Sequence, residues 1–234
     1  FKVGSGDITW HEQLRLMASF DKPVLLATGA SSMQEVEMAM DAVLEKTNQV
    51  VVMQCNTNYT ASITESREDT LERFKNINLR VLETYSNRWP GIPVGLSDHT
   101  HGDVTVLGAV ALGARIVEKH FTDDVTQDGP DHHFSMTPET WRSMVDRTRQ
   151  MEAAMGHHEK VVADNERETV VIQRRGLRFA AELPVGTELA PEHLVALRPA
   201  TPGSVTPDYL DEVLGKTLTQ SVELHDVVTR EVFV

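Results

Sequence analysis

Five short apolar runs separated by stretches of helical character constrain this chain more than any other feature. They fall at residues 1–4, 23–27, 49–55, 92–96 and 115–117. Runs this short, rich in Val, Leu and Ile and without polar alternation, read as strands covered on both faces. Helical stretches are predicted at 11–20, at 32–46 with Ser31 or Ser32 as N-cap, at about 65–89, and over the alanine-rich 104–113. A longer helix over 138–155 opens with Thr137-Pro138-Glu139, an N-cap followed by proline at the first helical position. Strands alternating with helices predict an α/β fold with a parallel sheet clothed by helices. Five βα units are visible where a closed barrel needs eight. An open five-stranded arc would leave two parallel edges unpaired. The expectation is therefore a (β/α)8 TIM barrel lacking about three N-terminal βα units. A doubly wound sheet is the alternative.

The texture changes after Gly156. Residues 157–169 are polar and read as a linker, so the barrel segment is assigned to 1–156. From Val170 short strands broken by turns, such as Pro184-Val185-Gly186-Thr187 and Thr201-Pro202-Gly203, predict a small, mostly β domain over 170–234. Short helical pieces are expected near 191–194 and 208–214. The net charge of -13 repels phosphate backbones and argues against nucleic-acid binding. No run of about 18 apolar residues predicts a membrane span. The one cysteine, Cys55, reads as a buried strand residue, and its usage fits a reducing cytoplasm.

Chemistry concentrates at strand ends. His99 in Ser97-Asp98-His99-Thr100 and His120 in Glu118-Lys119-His120-Phe121 each follow a predicted strand. In a parallel barrel, residues at the C-terminal ends of neighbouring strands converge on one site. Two imidazoles placed so can hold one divalent metal, or can merely bond to polar neighbours. Lys2 precedes a Gly-Ser-Gly turn that can cradle a phosphate; a solvated lysine is the plainer reading. Ala27-Thr28-Gly29-Ala30-Ser31-Ser32 leads into a helix N-terminus, either an anion site or an ordinary cap. Asp123, Asp124, Asp128 and Asp131-His132-His133 form an acidic loop, a substrate lid or a solvated surface. His101, His157 and His158 read as surface residues; Trp10, Trp89 and Trp141 read as helix or core anchors. His99-Thr100-His101 also offers the His-x-His pair of a metal-dependent barrel hydrolase, and a non-catalytic role for the C-terminal domain in binding or dimerisation stays open.

The motifs Phe1-Lys2-Val3-Gly4-Ser5-Gly6-Asp7, Gly95-Leu96-Ser97-Asp98-His99-Thr100, Glu118-Lys119-His120-Phe121-Thr122, Gly129-Pro130-Asp131 and Phe134-Ser135-Met136 occur in an order that resembles the sialic acid (N-acetylneuraminate) synthase family, which includes legionaminate and pseudaminate synthases. Arg174-Arg175-Gly176-Leu177, Pro184-Val185-Gly186-Thr187, Leu197-Arg198-Pro199 and Leu214-Gly215-Lys216 resemble that family's C-terminal antifreeze-like (SAF) domain. The resemblance implies a transferase that condenses phosphoenolpyruvate with an N-acyl hexosamine of the N-acetylmannosamine type and water, giving a sialic acid and phosphate. It implies that His99 and His120 hold Mn²⁺, with Mg²⁺ or Co²⁺ as substitutes. Lys2, Ser5 and Ser97 match phosphate contacts. Asp7, Thr57, Tyr59 and Asp131 complete the substrate-side set, and Arg198 matches an arginine delivered into the partner's site of a domain-swapped homodimer. Three departures bear on the sugar: Ala27 stands where serine is common, Thr57 where asparagine is, and Thr60 where proline is usual. The family's glutamate beneath the reacting carbons and a second phosphate-binding lysine lie in the missing N-terminal units, so this chain alone is expected to be inactive.

Overall fold

The computed structural model describes residues 1–58, 71 and 74–234 and divides into two compact units, Phe1–His157 and His158–Val234. In the first unit, five strands form one parallel sheet: β1 (Lys2–Val3), β2 (Val24–Ala27), β3 (Val50–Cys55), β4 (Val94–Asp98) and β5 (Ile116–Lys119). Their spatial order is their chain order. A doubly wound sheet reverses order at a switch point; this one never does, so each βα unit adds to the same growing edge, as in a barrel.

The connecting helices are α1 (His11–Ala18), α2 (Met33–Leu44), α3 (Val81–Arg88) and α4 (Val104–Ala111), and α5 (Pro138–Met155) follows β5. Ser32 caps α2: its hydroxyl accepts from the Glu35 N–H while the Glu35 carboxylate accepts from the Ser32 N–H. The buried stripe of α2 runs Val36, Ala39, Met40, Val43, at i, i+3, i+4, i+7. Ala39 in the stripe and Ala42 beside it are also buried and Met38 lies outside it, which is why large apolar residues alone follow the helical period only roughly. Thr137 and Thr140 close a reciprocal cap on α5, with Pro138 in its first turn.

Successive strand residues point to opposite faces. Val24, Leu26, Val50, Val52, Val94 and Leu96 pack with helix residues Leu14, Val36, Met40, Leu82 and Val106 into one buried cluster. The alternate residues Ala27, Val51, Met53 and Cys55 are also buried, on the other face. Both faces are thus covered, as the unbroken apolar runs predict. The sheet is strongly curled. Four strand spacings place the edge strands about 19 Å apart if flat, yet Lys2 on β1 reaches Glu118 on β5 at 3.0 Å. Gly95 sits inside this curve: a Cβ there would lie 2.7 Å from the Ile116 carbonyl oxygen and 3.1 Å from Met53 Cγ.

The second unit is mostly β, built on the antiparallel pair β6 (Gly176–Phe179) and β7 (Leu194–Leu197) with isolated bridges around it. Leu177, Phe179, Leu189, Val205, Leu218, Val222 and Val228 form its core. A single turn of 3₁₀ helix falls at Pro191–His193, and two short 3₁₀ pieces joined at a kink at Tyr209 span Pro207–Glu212. One expectation is corrected here. A helix, α6 (Arg167–Gln173), runs across the expected end of the linker at 169. The β-branched Val170-Val171-Ile172 suggested a strand, but an acidic turn over Asp164–Glu166 starts a helix that leaves Ile172 exposed. Trp10 is likewise no core anchor, being 59 % exposed, whereas Trp89 is buried.

Substituting Gly95→Ala should destabilise the fold by about 1–3 kcal/mol, because the new methyl meets backbone that cannot swing away. Chemical denaturation measures this, and a loss below about 0.5 kcal/mol, within the range of neutral surface changes, would contradict the packing described.

Candidate functional site

The C-terminal ends of the five strands surround a cavity of about 550 Å³. Lys2 and Ser5 enter it from β1 and the turn after it, Ala27 from β2, Cys55 and Thr57 from β3 and its loop, Ser97 and His99 from β4, and Glu118 and His120 from β5. These are the residues that strand alternation aims away from the helices. Of the residues expected from the sequence, Lys2, Ser5, Thr57, Ser97, His99 and His120 are brought together here. Asp131 reaches the same place from the loop after β5, its Oδ2 lying 3.6 Å from His120 Nδ1. Asp7 does not: it ends an exposed 3₁₀ turn and is not among the residues lining the cavity. Tyr59 lies outside the described residues. Arg198 belongs to the second unit, where it is exposed and its Nε donates to the Gln173 carbonyl at 2.6 Å. His101 is exposed and takes no part in the cavity lining.

A polar network crosses the cavity. The Ser97 hydroxyl donates to Glu118 Oε2 at 2.7 Å, and Lys2 Nζ pairs with the same oxygen at 3.0 Å. Ser97 and Glu118 are register partners on β4 and β5, so their meeting follows from the sheet. Ser5 Oγ accepts from the Gly29 N–H at 2.9 Å, tying the turn after β1 to the end of β2. Only glycine fits at 29: a Cβ there would fall 2.5 Å from Thr57 Cγ2 and 2.8 Å from Ser5 Oγ.

The His99 and His120 rings lie with centroids 5.2 Å apart. His99 Nδ1 is 2.8 Å from the Asn56 carbonyl oxygen. A carbonyl only accepts, so Nδ1 carries the proton and the lone pair of a neutral ring is on Nε2. Asp131 faces Nδ1 of His120 in the same sense. Second-sphere carbonyl and carboxylate partners of this kind orient metal-bound histidines. A ring bound to a metal has its centroid about 3.2 Å from the ion, so two rings held at roughly 90–110° lie about 4.5–5.3 Å apart. The observed spacing fits. Among the described residues no cluster of three His, Cys, Asp or Glu side chains has metal-binding geometry.

Cys55, the register partner of Ser97, was read from the sequence as a core residue, and it is buried. Its Sγ nevertheless lies 3.9 Å from His99 Nδ1 and faces the cavity. Burial works to raise its pKa, but hydrogen bonding from His99, Ser5 and Ser97 and the charge of His99 outweigh it and hold the thiol below the ordinary range. Burial works to lower His99, and here the Cys55 and Asn56 contacts prevail, raising it. His120 is lowered, chiefly by burial, with Asp131 opposing and His99 adding to the effect. Glu118 too was missed as a site residue; the one signal available was its place two residues before His120, on the same face of the strand.

The NeuB family model matches residues 1–160 and the SAF domain model residues 174–232. The N,N'-diacetyllegionaminic acid synthase of Legionella pneumophila is 33% identical over 226 residues, covering 94% of this chain and 60% of that protein. The human N-acetylneuraminate-9-phosphate synthase is 29% identical over 231 residues, covering 99% and 61%. The crystal structure of the N-acetylneuraminic acid (sialic acid) synthetase of Leptospira borgpetersenii, in complex with citrate, superposes with a TM-score of 0.60 at 29% identity, covering 72% of this chain and 55% of that one. The chain thus spans about three-fifths of the length of the two curated relatives.

The Cys55–His99 contact has a measurable consequence. In metal-free protein, alkylation of Cys55 should rise with pH at a lower value than for an ordinary thiol, and His99→Gln should move that profile upward. A profile unchanged by the substitution would rule out the coupling.

Proposed function

The chain belongs to the NeuB family, and we propose that it forms part of a synthase that condenses phosphoenolpyruvate with an N-acyl hexosamine and water to give a sialic acid and phosphate. The observation that carries this reading is the convergence of Lys2, Ser97, Glu118, His99 and His120 on one cavity. That set offers an anion-binding lysine and hydroxyl beside a carboxylate, next to two imidazoles spaced for one ion. The catalytic unit is an eight-stranded barrel that includes these five strands, and the activity is that of the whole protein.

Lys2 leaves Glu118 to bind the phosphate of phosphoenolpyruvate, helped by Ser5 and the N–H groups at the start of the turn after β1. Ser97 and the register of β4 with β5 keep Glu118 in place. C3 of phosphoenolpyruvate attacks the sugar aldehyde carbon, and C2 acquires oxocarbenium character. The Glu118 carboxylate, released from Lys2, stabilises that charge. Water then adds at C2, and phosphate leaves by C–O cleavage. His99 and His120 would hold a divalent ion, Mn²⁺ or in its place Mg²⁺ or Co²⁺, which when bound polarises the aldehyde as a Lewis acid. Thr57, Tyr59 and Asp131 contact the sugar. N-acetylmannosamine, giving N-acetylneuraminate, is the default substrate, and the precursors of legionaminate or pseudaminate are the alternatives. The setting is cytoplasmic, where a lone thiol stays reduced.

The test is phosphate release from phosphoenolpyruvate by the complete protein with Mn²⁺ and N-acetylmannosamine. Release should need both sugar and metal, and His99→Ala or His120→Ala should lower kcat by about 10³-fold, the worth of several kcal/mol of carbonyl polarisation. Release only with a diacetamido sugar moves the product to legionaminate or pseudaminate. No release with any N-acyl hexosamine overturns the reading.

Arg198 acts in the site of a second copy, in a domain-swapped homodimer. Mixing inactive Arg198→Ala with inactive His99→Ala protein should then restore activity, because one site of each mixed dimer has both residues. Mixtures that stay inactive while subunits exchange exclude the swap.

A further inference from the structure

The residues immediately before the two histidines form the most deeply buried ion pair among the described residues. Lys119 Nζ lies 2.7 Å from Asp98 Oδ2, with both side chains 1% exposed. Asp98 and Lys119 are register partners and the last residues of β4 and β5. Strand alternation sends their side chains to the face opposite that of Ser97 and Glu118. Both residues contribute to the cavity lining, but their side chains turn away from the cavity toward α4, where Asp98 meets Thr105.

Its hydrogen bonding is extensive. Asp98 Oδ2 also accepts from the Thr105 hydroxyl at 2.7 Å and the Thr100 hydroxyl at 2.9 Å, and Oδ1 accepts from the Thr100 N–H at 3.2 Å. Lys119 Nζ donates to the Thr100 carbonyl at 2.6 Å. Thr100 is thus gripped through its N–H, its hydroxyl and its carbonyl. His99 sits between Asp98 and Thr100, so its backbone is held on both sides. His120 follows Lys119 directly, and its carbonyl accepts from the Met136 N–H at 2.9 Å. One cluster thereby ties the ends of β4 and β5 and the first turn of α4 into a single piece that carries both imidazoles.

A buried ion pair is a poor device for stability, because apolar residues of the same volume do as well or better. It is a good device for geometry, since charges at 2.7 Å inside a low dielectric tolerate little displacement. Metal binding depends on that geometry: ligand distances must hold to within a few tenths of an ångström.

We propose that Asp98 and Lys119, with Thr105, are positioning residues whose buried cluster sets the separation and orientation of His99 and His120 for one divalent ion. This rests on the metal-binding reading of the two histidines given above. The experiment is Mn²⁺ titration of the metal-free complete protein, followed by electron paramagnetic resonance of free Mn²⁺, with the unfolding midpoint measured in parallel. The double variant Asp98→Asn/Lys119→Met keeps the volume and removes both charges. It should hold its midpoint within a few degrees and bind Mn²⁺ at least tenfold more weakly, as expected for loss of outer-shell support. Unchanged affinity in the folded double variant overturns the proposal. Should that variant fail to fold, Thr105→Val decides: it removes one hydroxyl from Asp98 and leaves the pair, and should weaken Mn²⁺ about threefold at an unchanged midpoint. Wild-type affinity in Thr105→Val then overturns it. Folded wild-type protein that binds no Mn²⁺ overturns the metal-binding reading itself and the proposal with it, a result distinct from wild-type binding that the variants leave intact.

Discussion

Parallel strands joined by helices all end on one edge of their sheet, and in this molecule the sheet curls until its two outer strands approach each other across that edge. Lys2 and Glu118 meet at 3.0 Å although three strands separate them. Side chains that share no neighbourhood in the sequence are brought within hydrogen-bonding distance because each strand is rotated against the last in the same sense. The curl needs small side chains on the inner face. Gly95 meets the Ile116 carbonyl and Met53 with no room for a methyl, and Gly29 lets the turn after β1 close on the end of β2. The cavity is therefore a consequence of backbone packing. Its residues are placed by the sheet and then tuned by their neighbours.

The two faces of each strand divide the labour. Residues toward the helices are apolar along the length of the sheet and turn polar only at the C-terminal edge, where Thr28, Gln54, Asp98 and Lys119 are buried. Each of these is satisfied. Thr28 donates to the Met53 carbonyl and accepts from Tyr85. Gln54 donates to the Ile77 carbonyl, and Asp98 and Lys119 satisfy each other with Thr100 and Thr105. Buried polar groups are costly unless paired, so a ring of them at one depth fixes the loops that leave the sheet there. The loops carry Asn56, His99 and His120, and the precision of the site derives from this layer.

Much of this was legible in the sequence, and the physical reason is periodicity. Strand runs 23–27 and 49–55 and the helix over 138–155 come from patterns of residue type that operate over a few positions, and they match β2, β3 and α5 closely. The convergence of Lys2, Ser97, His99 and His120 was legible as well, because in a parallel α/β unit the end of a strand is also the place of the site. What the sequence conceals is long-range. Cys55 reads as one more apolar strand residue until the register sets it opposite Ser97 and beside His99. Glu118 has no assigned role in the sequence until the curl brings Lys2 to it. Asp7, adjacent in sequence to the Gly-Ser-Gly turn, points away because a 3₁₀ turn rotates it off the cavity. The helix over Val170-Val171-Ile172 forms against β propensity, following the acidic turn at Asp164–Glu166 and burying none of its own residues.

The electrostatics of the cavity explain why a chain of net charge -13 can belong to a family that handles anions. Lys119 is spent on Asp98 and contributes little field to the cavity. Among the described residues lining the cavity, Lys2 is the remaining lysine, and it is held by Glu118. Phosphoenolpyruvate, with a phosphate and a carboxylate, brings more negative charge than one lysine balances. In a low-dielectric cavity that imbalance is expensive. The compensation comes from three sources under the proposed reading: N–H groups at the turn after β1, a divalent ion on the two imidazoles, and cationic side chains supplied from beyond these five strands. Arg198 is suited to the last role because it is exposed in its own unit and a guanidinium fork pairs bidentately with carboxylate or phosphate. On this account the shortage of positive charge in the cavity is a feature of the mechanism, since it makes substrate binding depend on completing the site.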